Sequence, residues 1–324
     1  MEIQLPPTHG DLYQELVTKL TTENQLVEAG LVEMVPTTNT ADEYVYIIRD
    51  AEGLDQDYTP TPGAASGTIS YDSKPIKLGK TMLYYDKIRP QEWENVFRKY
   101  QPTGPLVLEN LNPLIMKDMF LTFSEQYKEV SNDNIINAVQ TGVPGLSDKR
   151  RYDGIMTIAA ASNEVEKIPY AAVTTPAQAQ ALLEKLRKGA GVRVRRQANF
   201  KYVVSPNVMD LYFDSQYAQA QKGADQTNDG VPRFKGREVH VSDQLGDSEG
   251  FAAVLSTKAD SNLIMVVAGV ASDTAFDMNK LANNSEYYFV KMVWKQGLAI
   301  KKHKEFVAHI DSARTPTVTP APSV

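Results

Sequence analysis

The chain has no cysteine and four histidines among its 324 residues. The lack of cysteine excludes disulfides, thiol nucleophiles and cysteine-ligated metals, and it is compatible with a reducing compartment. The histidines, His9, His240, His303 and His309, match no common metal-binding or nucleophile-plus-base pattern, and the chain has no P-loop or dinucleotide-binding glycine motif. We therefore expect no metal, no cofactor and no catalytic residue, and we predict that the protein is not an enzyme.

Long apolar runs and an excess of positive charge are also missing. Apolar runs such as Leu263–Val267 are far shorter than the roughly 18 residues that a membrane-spanning helix needs. Residues 1–10 carry no signal-peptide pattern, so we expect a soluble protein made in the cytoplasm. The 34 Lys and Arg face 40 Asp and Glu, and the net charge of -6 disfavours a protein that mainly coats nucleic acid.

The stretch from Phe200 to Asp243 has the most regular pattern. Apolar residues over 200–204 predict a strand, and Ser205 followed by Pro206 predicts the N-cap and first residue of a helix. The polar span Gln221–Gly230 contains two glycines and predicts a mobile loop, after which Val239 and Val241 resume an alternating strand. This order is typical of a scaffold and contains no reaction centre.

The first half of the chain predicts extended parts around a long helix. Asp11–Gly30 has helical spacing, and Pro36–Thr40 has the composition of a linker. Glu43–Arg49 and the extended run Ile69–Ile88 together predict a projecting hairpin-like arm. Residues 112–140 carry an apolar stripe at helical spacing, which predicts a helix on the order of 40 Å long.

The second half predicts a further helix and several strands. Thr175 with Pro176 starts a helix that runs to Lys188. Residues 251–255 and 263–267 predict two more strands of the unit that contains 200–204. Residues 286–310 alternate over two runs, which predicts an antiparallel pair joined near Gly297. His303 and His309 then lie apart in one strand, and we expect both at the surface.

One strong cluster of positive charge comprises Arg187, Lys188, Arg193, Arg195 and Arg196. A contact with an acidic neighbouring subunit and plain solvation of a loop and strand edge explain the cluster equally well. Contact with phosphate fits less well, because the net charge is negative. Arg193, Arg195 and Arg196 are candidate subunit-interface residues.

Lys74, Lys77 and Lys80 lie on the returning limb of the predicted arm. Lysine on an exposed strand edge discourages misplaced pairing, which is the simplest explanation for these three residues. They are also candidate subunit-interface residues, because an arm without a core of its own needs a neighbour.

In this order the parts resemble the major capsid proteins of tailed bacteriophages with the Hong Kong 97-type fold. The resemblance rests on YVVSPNVMDLYFDSQ (202–216), VPRFKGREVHVSDQLG (231–246) and EYYFVKMVWKQGLAIKKHKEFVAHI (286–310). It implies an α+β fold with an N-terminal arm, an extended β-hairpin loop, a long spine helix with a peripheral antiparallel sheet, and an α/β apical domain. The implied boundaries are 1–42 for the arm, 43–88 for the loop, 89–154 for the peripheral domain with the spine helix at about 112–140, 155–270 for the apical domain, 271–310 for the returning peripheral strands and 311–324 for an extended tail.

The resemblance implies a structural function. Copies of the chain assemble into the hexamers and pentamers of an icosahedral shell around a double-stranded DNA genome, with weak non-specific contact to the DNA. Expected partners are a separate scaffolding protein, a portal and decoration proteins, and no membrane. The expected location is the virion capsid, assembled in the host bacterial cytoplasm. The prototype of the family cross-links a lysine to an asparagine, but no motif here singles out such a pair, so we do not expect the cross-link.

Two other functions stay open at this point. An encapsulin-like nanocompartment shares the fold and encloses a cargo enzyme in place of a genome. A two-domain small-ligand-binding protein or enzyme would need a convergent set of polar residues, which the sequence does not show.

Overall fold

The computed structural model describes residues 24–37, 43–52, 68–78, 82–88, 128, 131–140, 152–217, 231–268, 276–280 and 288–311. In chain order its helices are α1 Gln25–Glu28, α2 131–137, α3 Ile155–Ala161, α4 Pro176–Gly189, α5 Val192–Arg195 and α6 Pro206–Tyr217. Its strands are β1 Glu33–Thr37, β2 Glu43–Glu52, β3 Thr68–Lys77, β4 Met82–Ile88, β5 Glu166–Ile168, β6 Phe200–Val204, β7 Arg233–Phe234, β8 Arg237–Val241, β9 Gly250–Val254, β10 Leu263–Ala268, β11 Phe276–Lys280, β12 Tyr288–Ile300 and β13 Val307–His309.

A six-stranded mixed sheet has the order β5-β13-β9-β6-β8-β7. Side chains alternate across it, as they do in any strand that is buried on both faces. Tyr202 and Val254 belong to a core on one face, whereas Val203, Phe251 and Ala253 belong to a second core on the other face. The sheet is therefore the middle layer of a three-layer unit.

Helices α4 and α6 cover the first face. Thr175 and Gln178 form a capping box at the start of α4, which confirms the predicted helix start. Ser205 caps α6, because its hydroxyl accepts a hydrogen bond from the Val208 backbone N–H at 3.4 Å. Leu182, Leu183, Leu186, Val208, Met209 and Tyr212 from the two helices are all buried against β6, β9 and β13.

A five-stranded sheet follows the order β1-β10-β12-β11, and β4 also pairs with β12. Strand β10 has two buried faces. Leu263, Met265 and Val267 join the core on the second face of the six-stranded sheet, whereas Ile264 and Val266 pack against the base of β3. The two sheets therefore share one core through β10.

The segment that begins at Asn24 is an integral part of this core. Leu26, Leu31 and Val32 are fully buried in it. Residues 36–37 are not a linker, because β1 includes them and pairs in parallel with β10, with Pro36 opposite Val267. Pro36 fits because β1 lies at the edge of the sheet, where the missing N–H costs no ladder hydrogen bond.

Strands β2 and β3 form an antiparallel pair of ten residues each, from Glu43 opposite Lys77 to Glu52 opposite Thr68. This pair confirms that the segment forms a hairpin. The predicted extended run Ile69–Ile88 consists of two separate strands, since β4 leaves the hairpin and pairs with β12. Ile76 and Leu78, at the base of the hairpin, are buried against β10.

The predicted antiparallel pair over residues 286–310 is wrong in two respects: the turn at Gly297 and the partner of the second segment. No turn occurs at Gly297, because β12 continues through it and pairs Gly297 with Val266. Strand β12 changes its pairing partner near this glycine, since residues 288–294 pair with β4 and residues 295–300 pair with β10. Gly297 therefore marks a change of neighbouring strand and not the end of β12. The segment after it, β13, lies in the six-stranded sheet beside β9.

Strand β10 also differs from the prediction. It is a strand, as expected, but it lies in the five-stranded sheet and not beside β6 and β9. Its apolar residues are buried on both faces, so the sequence pattern does not specify which sheet it joins. Helix α2 confirms the C-terminal end of the predicted long helix. The rest of 112–140, the loop Gln221–Gly230 and the tail 312–324 lie outside the described residues, and the domain boundaries stay predictions.

Candidate assembly surfaces

The β2–β3 hairpin has the longest register among the described strand pairs. Ten paired residues span roughly 34 Å, and its contact with the described core is at its base, where Ile76 is buried. Val45, near the same end of the hairpin, is 56% exposed. An isolated two-stranded hairpin is at best marginally stable in water, so this hairpin needs a further surface to pack against.

Of the three candidate lysines on the arm, Lys74 and Lys77 lie in β3, opposite Tyr46 and Glu43. Lys80 lies outside the described residues. Their role as interface residues stays a prediction.

Glu184, near the end of α4, binds three cations. Arg187 donates two hydrogen bonds to it, from Nε to Oε2 at 3.1 Å and from Nη2 to Oε1 at 3.0 Å. Lys235 Nζ lies 2.7 Å from Oε2, and Lys188 Nζ lies 3.9 Å from Oε1. The hydrogen bonds from Arg187 and then Lys235 lower the pKa of Glu184 to about 2, so this carboxylate stays ionised. One negative charge thus holds three positive ones together.

Helix α5 presents the other half of the predicted basic cluster. The segment is a helical turn and not a loop; it buries Val194 and leaves Arg193 and Arg196 exposed and Arg195 half-buried. No carboxylate within the described ranges forms an ion pair with these three arginines. They are therefore available to another molecule.

A third basic segment joins these two through the β7–β8 hairpin. Lys235 and Gly236 form its two-residue turn, and both have positive φ, 50° and 77°. Lys235 reaches Glu184, and the Arg237 guanidinium donates to the backbone carbonyls of Arg196 at 2.9 Å and Ala198 at 3.0 Å. We name residues 184–188, 193–196 and 233–237 the basic surface.

Sequence reasoning found two of the three segments of the basic surface and missed 233–237. Arg233, Lys235 and Arg237 alternate around a turn, which looks like an ordinary solvated hairpin. The contact between Lys235 and Glu184 joins positions 51 residues apart. A lysine followed by glycine at a two-residue turn was the available signal, but nothing in the sequence indicates which helix lies beside that turn.

His309 is buried and not at the surface, which corrects the prediction. It is 2% exposed, and its ring stacks on Tyr170. The Ala171 N–H donates to Nε2 at 3.1 Å, so Nδ1 carries the hydrogen and donates to the Ser248 carbonyl at 2.6 Å. Burial lowers the pKa of His309, which keeps it neutral. His303 lies in a 3-10 turn, His303–Glu305, and is half-buried.

The same corner anchors the end of the described chain. Glu249 is buried and accepts two backbone hydrogen bonds, from Gly246 to Oε2 at 2.9 Å and from Asp311 to Oε1 at 3.1 Å. Together with His309, this carboxylate fixes the last residues before the predicted tail to the six-stranded sheet.

The described residues show no arrangement suited to a metal or to a membrane. Within them, no three His, Asp or Glu side chains come close enough together to hold a metal ion. None of the helices among them is both long and apolar enough to cross a lipid bilayer.

No family model matches the chain, and no curated protein matches it in sequence. Solved structures do match. A chain of the satellite phage P4 procapsid, a structure that includes the size determination protein, shares 9% identity over 96% of this chain and 93% of its own length, with a TM-score of 0.58. The capsid of Myoviridae phage XM1 shares 12% identity over 88% of this chain and 91% of its own, with a TM-score of 0.57.

A gene transfer agent (GTA) capsid gives a third match. It shares 11% identity over 89% of this chain and 96% of its own length, with a TM-score of 0.51. The chain has the fold of phage major capsid proteins. The resemblance inferred from the sequence is thereby confirmed at the level of the fold. At sequence identities of 9% to 12%, these matches establish the fold and not the function of this chain.

Proposed function

We propose that the protein is a major capsid protein that assembles into the hexamers and pentamers of an icosahedral shell around a double-stranded DNA phage genome. The observation that carries this proposal is the capsid-protein fold, matched over 88% to 96% of the chain in the phage XM1 and P4 structures.

The surfaces of the described residues support assembly. The β2–β3 hairpin packs on the described core at its base, near Ile76, and it needs a second surface for stability. The basic surface carries arginines that no described carboxylate neutralises. Both features are explained when neighbouring copies of the chain supply the missing contacts. Lys74, Lys77, Lys80, Arg193, Arg195 and Arg196 are the residues that we propose at such contacts.

Partners and location follow from the proposed function. The P4 structure includes a size determination protein, and we propose that a separate scaffolding protein likewise guides assembly of this chain in the host bacterial cytoplasm. A portal and decoration proteins complete the proposed virion. Contact with packaged DNA is weak and non-specific, since a chain with a net charge of -6 does not attract phosphate strongly overall.

Electron microscopy of the protein co-expressed with its neighbouring genes tests the proposal. We expect closed shells of uniform diameter, built of sixfold and fivefold units. Small discrete oligomers, or a monomer that persists at high concentration, would contradict it. The same particles, boiled in detergent and run on a gel, should give a single band at the 36.0 kDa of one chain, since we propose no covalent link between subunits.

The content of the shells separates a phage capsid from an encapsulin-like compartment. Nuclease-protected double-stranded DNA of one defined length, in particles made with portal and packaging proteins, supports the phage function. Shells that copurify with one cargo enzyme and never protect DNA would assign the compartment function instead.

A further inference from the structure

Charge is distributed very unevenly over this chain. The basic surface contains nine Lys and Arg side chains and one carboxylate, that of Glu184. Since the whole chain has 34 Lys and Arg against 40 Asp and Glu, the remaining residues hold 25 basic and 39 acidic side chains. A locally strong positive surface thus belongs to a subunit that is otherwise strongly acidic. Such a surface is complementary to another copy of the same chain.

One acidic region stands out within the three-layer unit. Residues 206–217, which form α6, and residues 242–249, which follow β8, contain four Asp and one Glu and no Lys or Arg. Glu249 is buried, whereas Asp210, Asp243 and Asp247 are exposed. The Asp247 carbonyl accepts hydrogen bonds from Ser205 Oγ at 2.7 Å and from Asn207 Nδ2 at 3.0 Å, which fixes this loop beside the start of α6. We name Asp210, Asp243 and Asp247 the acidic surface.

The two surfaces lie at opposite ends of the same strands. Strands β6 and β8 run parallel, with Tyr202 opposite Val239. Helix α5 precedes β6 and Arg237 begins β8, so the basic surface lies where both strands start. Residues 242–249 follow β8, so Asp243 and Asp247 lie where both strands end. Helix α6 starts at the same end, two residues before its Val208, and then runs back beside the sheet until Tyr212 Oη donates to the Arg233 carbonyl at 2.7 Å; Asp210 lies in its first half. A five-residue strand spans roughly 17 Å, which is the approximate separation along β6 between α5 and residues 242–249.

Other charges near the two ends do not change this picture. Lys258 and Asp260 lie in the loop beside the start of β6 and add one charge of each sign, with Asp260 bound by Asn199 Nδ2 at 2.7 Å. Glu238, next to Arg237, is neutralised by Lys201 Nζ at 2.9 Å. Neither Asp210 nor Asp247 forms a side-chain ion pair within the described ranges.

We propose that the basic surface of one copy docks on the acidic surface of the next copy, in a head-to-tail contact. A contact between two different patches on identical chains is heterologous, and repeated around an axis it closes a ring. Complementary charge at such a contact sets the orientation of the subunits and speeds their encounter. This contact rests on the proposed function, because it describes how copies of the chain join within a ring.

Charge reversal at each surface tests the contact. One variant carries Arg193→Glu with Arg196→Glu, and a second carries Asp210→Lys with Asp247→Lys; all four side chains are exposed. Each variant should raise the protein concentration needed for assembly by about tenfold or more, as measured by light scattering and electron microscopy. A chain with all four reversals should recover most of the assembly of the wild type, because the attraction is restored with its sign inverted.

A matched control reverses two exposed lysines elsewhere. Lys302→Glu with Lys304→Glu changes the net charge by the same amount as the arginine variant, on the 3-10 turn, which contributes no residue to either surface. It should assemble like the wild type. Thermal unfolding of every variant within a few degrees of the wild type separates a lost contact from a lost fold.

Several outcomes would overturn the contact. Normal assembly of both reversed variants, or failure of the chain with four reversals to recover, would remove it while leaving the proposed shell function intact. An arginine variant that assembles normally but no longer binds a double-stranded DNA fragment would reassign the basic surface to nucleic acid. If the wild type forms no shells, the proposed function fails. In that case, sedimentation at low salt compares the self-association of the wild type with that of the arginine variant. Equal self-association of the two proteins would overturn the head-to-tail contact.

Discussion

The three-layer unit around the six-stranded sheet and the β2–β3 hairpin differ in how much of the described apolar core they contain. The sheet buries apolar side chains on both faces, with Tyr202 and Phe251 fully buried on opposite sides. The hairpin is longer than any strand of that sheet, yet Ile76 and Leu78 at its base are where it joins the described core. The unit encloses its own apolar cores, whereas the described contact between the hairpin and the core lies at the hairpin base.

This difference separates the buried side chains of the unit from the exposed side chains of the hairpin. Substitutions of the buried side chains of the unit act on the free energy of unfolding of one subunit, because the contacts of these side chains are internal. Substitution of an exposed hairpin side chain such as Val45 has little effect on that free energy, because a mostly exposed side chain has few internal contacts to lose.

Phe251→Ala should cost about 3–5 kcal/mol of unfolding free energy, because Phe251 is fully buried and stacks on Phe306 with ring centroids 5.2 Å apart. Urea denaturation of unassembled subunits measures it. Val45→Ala, which removes a mostly exposed hairpin side chain, is the control and should change this free energy by less than about 0.5 kcal/mol. Equal losses in both variants would mean that the hairpin and the unit form one core.

Gly154→Ala should cost about 1–3 kcal/mol or more through overpacking. A Cβ at Gly154 would lie 2.6 Å from the backbone carbonyl group of Ile136 and 2.8 Å from Ala138 N, where neither backbone can give way. Gly191→Ala is the matched control, since no atom lies within 4 Å of its added Cβ and its φ is -54°. Thermal unfolding should separate the two, and a neutral Gly154→Ala would contradict the close approach of α2 to α3.

Ile76→Ala should release the hairpin while leaving most of the unit intact. Ile76 packs on Ile264 and Val266, so its truncation removes part of the anchor at the hairpin base. Hydrogen exchange of β2 and β3 should accelerate, whereas exchange of β6 and β9 should stay at the rate of the wild type. Uniform acceleration in all four strands would show that the hairpin base is part of the global core.

The smallest expected effect is a dependence of stability on pH through His309. Burial, with Lys185 nearby, lowers its pKa in the folded state, against hydrogen bonding to Ser248 and the charge of Glu249, which raise it. The folded pKa therefore lies below the unfolded value of 6.5, and the unfolded state binds the proton more tightly. The stability is fully present above that value and falls as the pH drops towards the folded pKa, by at most about 1.4 kcal/mol per pH unit.

His309→Gln should flatten this part of the stability curve between pH 7 and pH 5, as measured by denaturation at each pH. Identical slopes in the wild type and His309→Gln would contradict the role assigned to the neutral ring.

Predictions from local pattern were confirmed where local forces decide the structure. The strand at 200–204, the Ser205 cap and the helix that starts after Thr175 follow from alternation, proline placement and capping chemistry within a few residues. The errors occur where distant segments decide. Gly297 continues a strand because β10 and β4 lie beside it, and His309 is buried because Ser248, Ala171 and Tyr170 enclose it.

The basic surface likewise contains residues that local sequence indicates and residues that only the tertiary structure places there. Arg193, Arg195 and Arg196 are evident as a cluster in the sequence, because they lie within four residues. The contribution of Arg233, Lys235 and Arg237 depends on the tertiary structure, because Glu184 and the Arg196 carbonyl bring the β7–β8 hairpin to the same place.

By itself the sequence determined the local elements, the absence of cysteine chemistry and the resemblance to a capsid protein, since these depend on composition, periodicity and the order of parts. Only the tertiary structure decided which strands share a sheet, which charges share a surface and that the two charged surfaces lie at opposite ends of β6 and β8. Pairing between distant strands depends on the burial of both faces of the sheet at the same time. The residue pattern of one segment therefore does not specify which strand it pairs with.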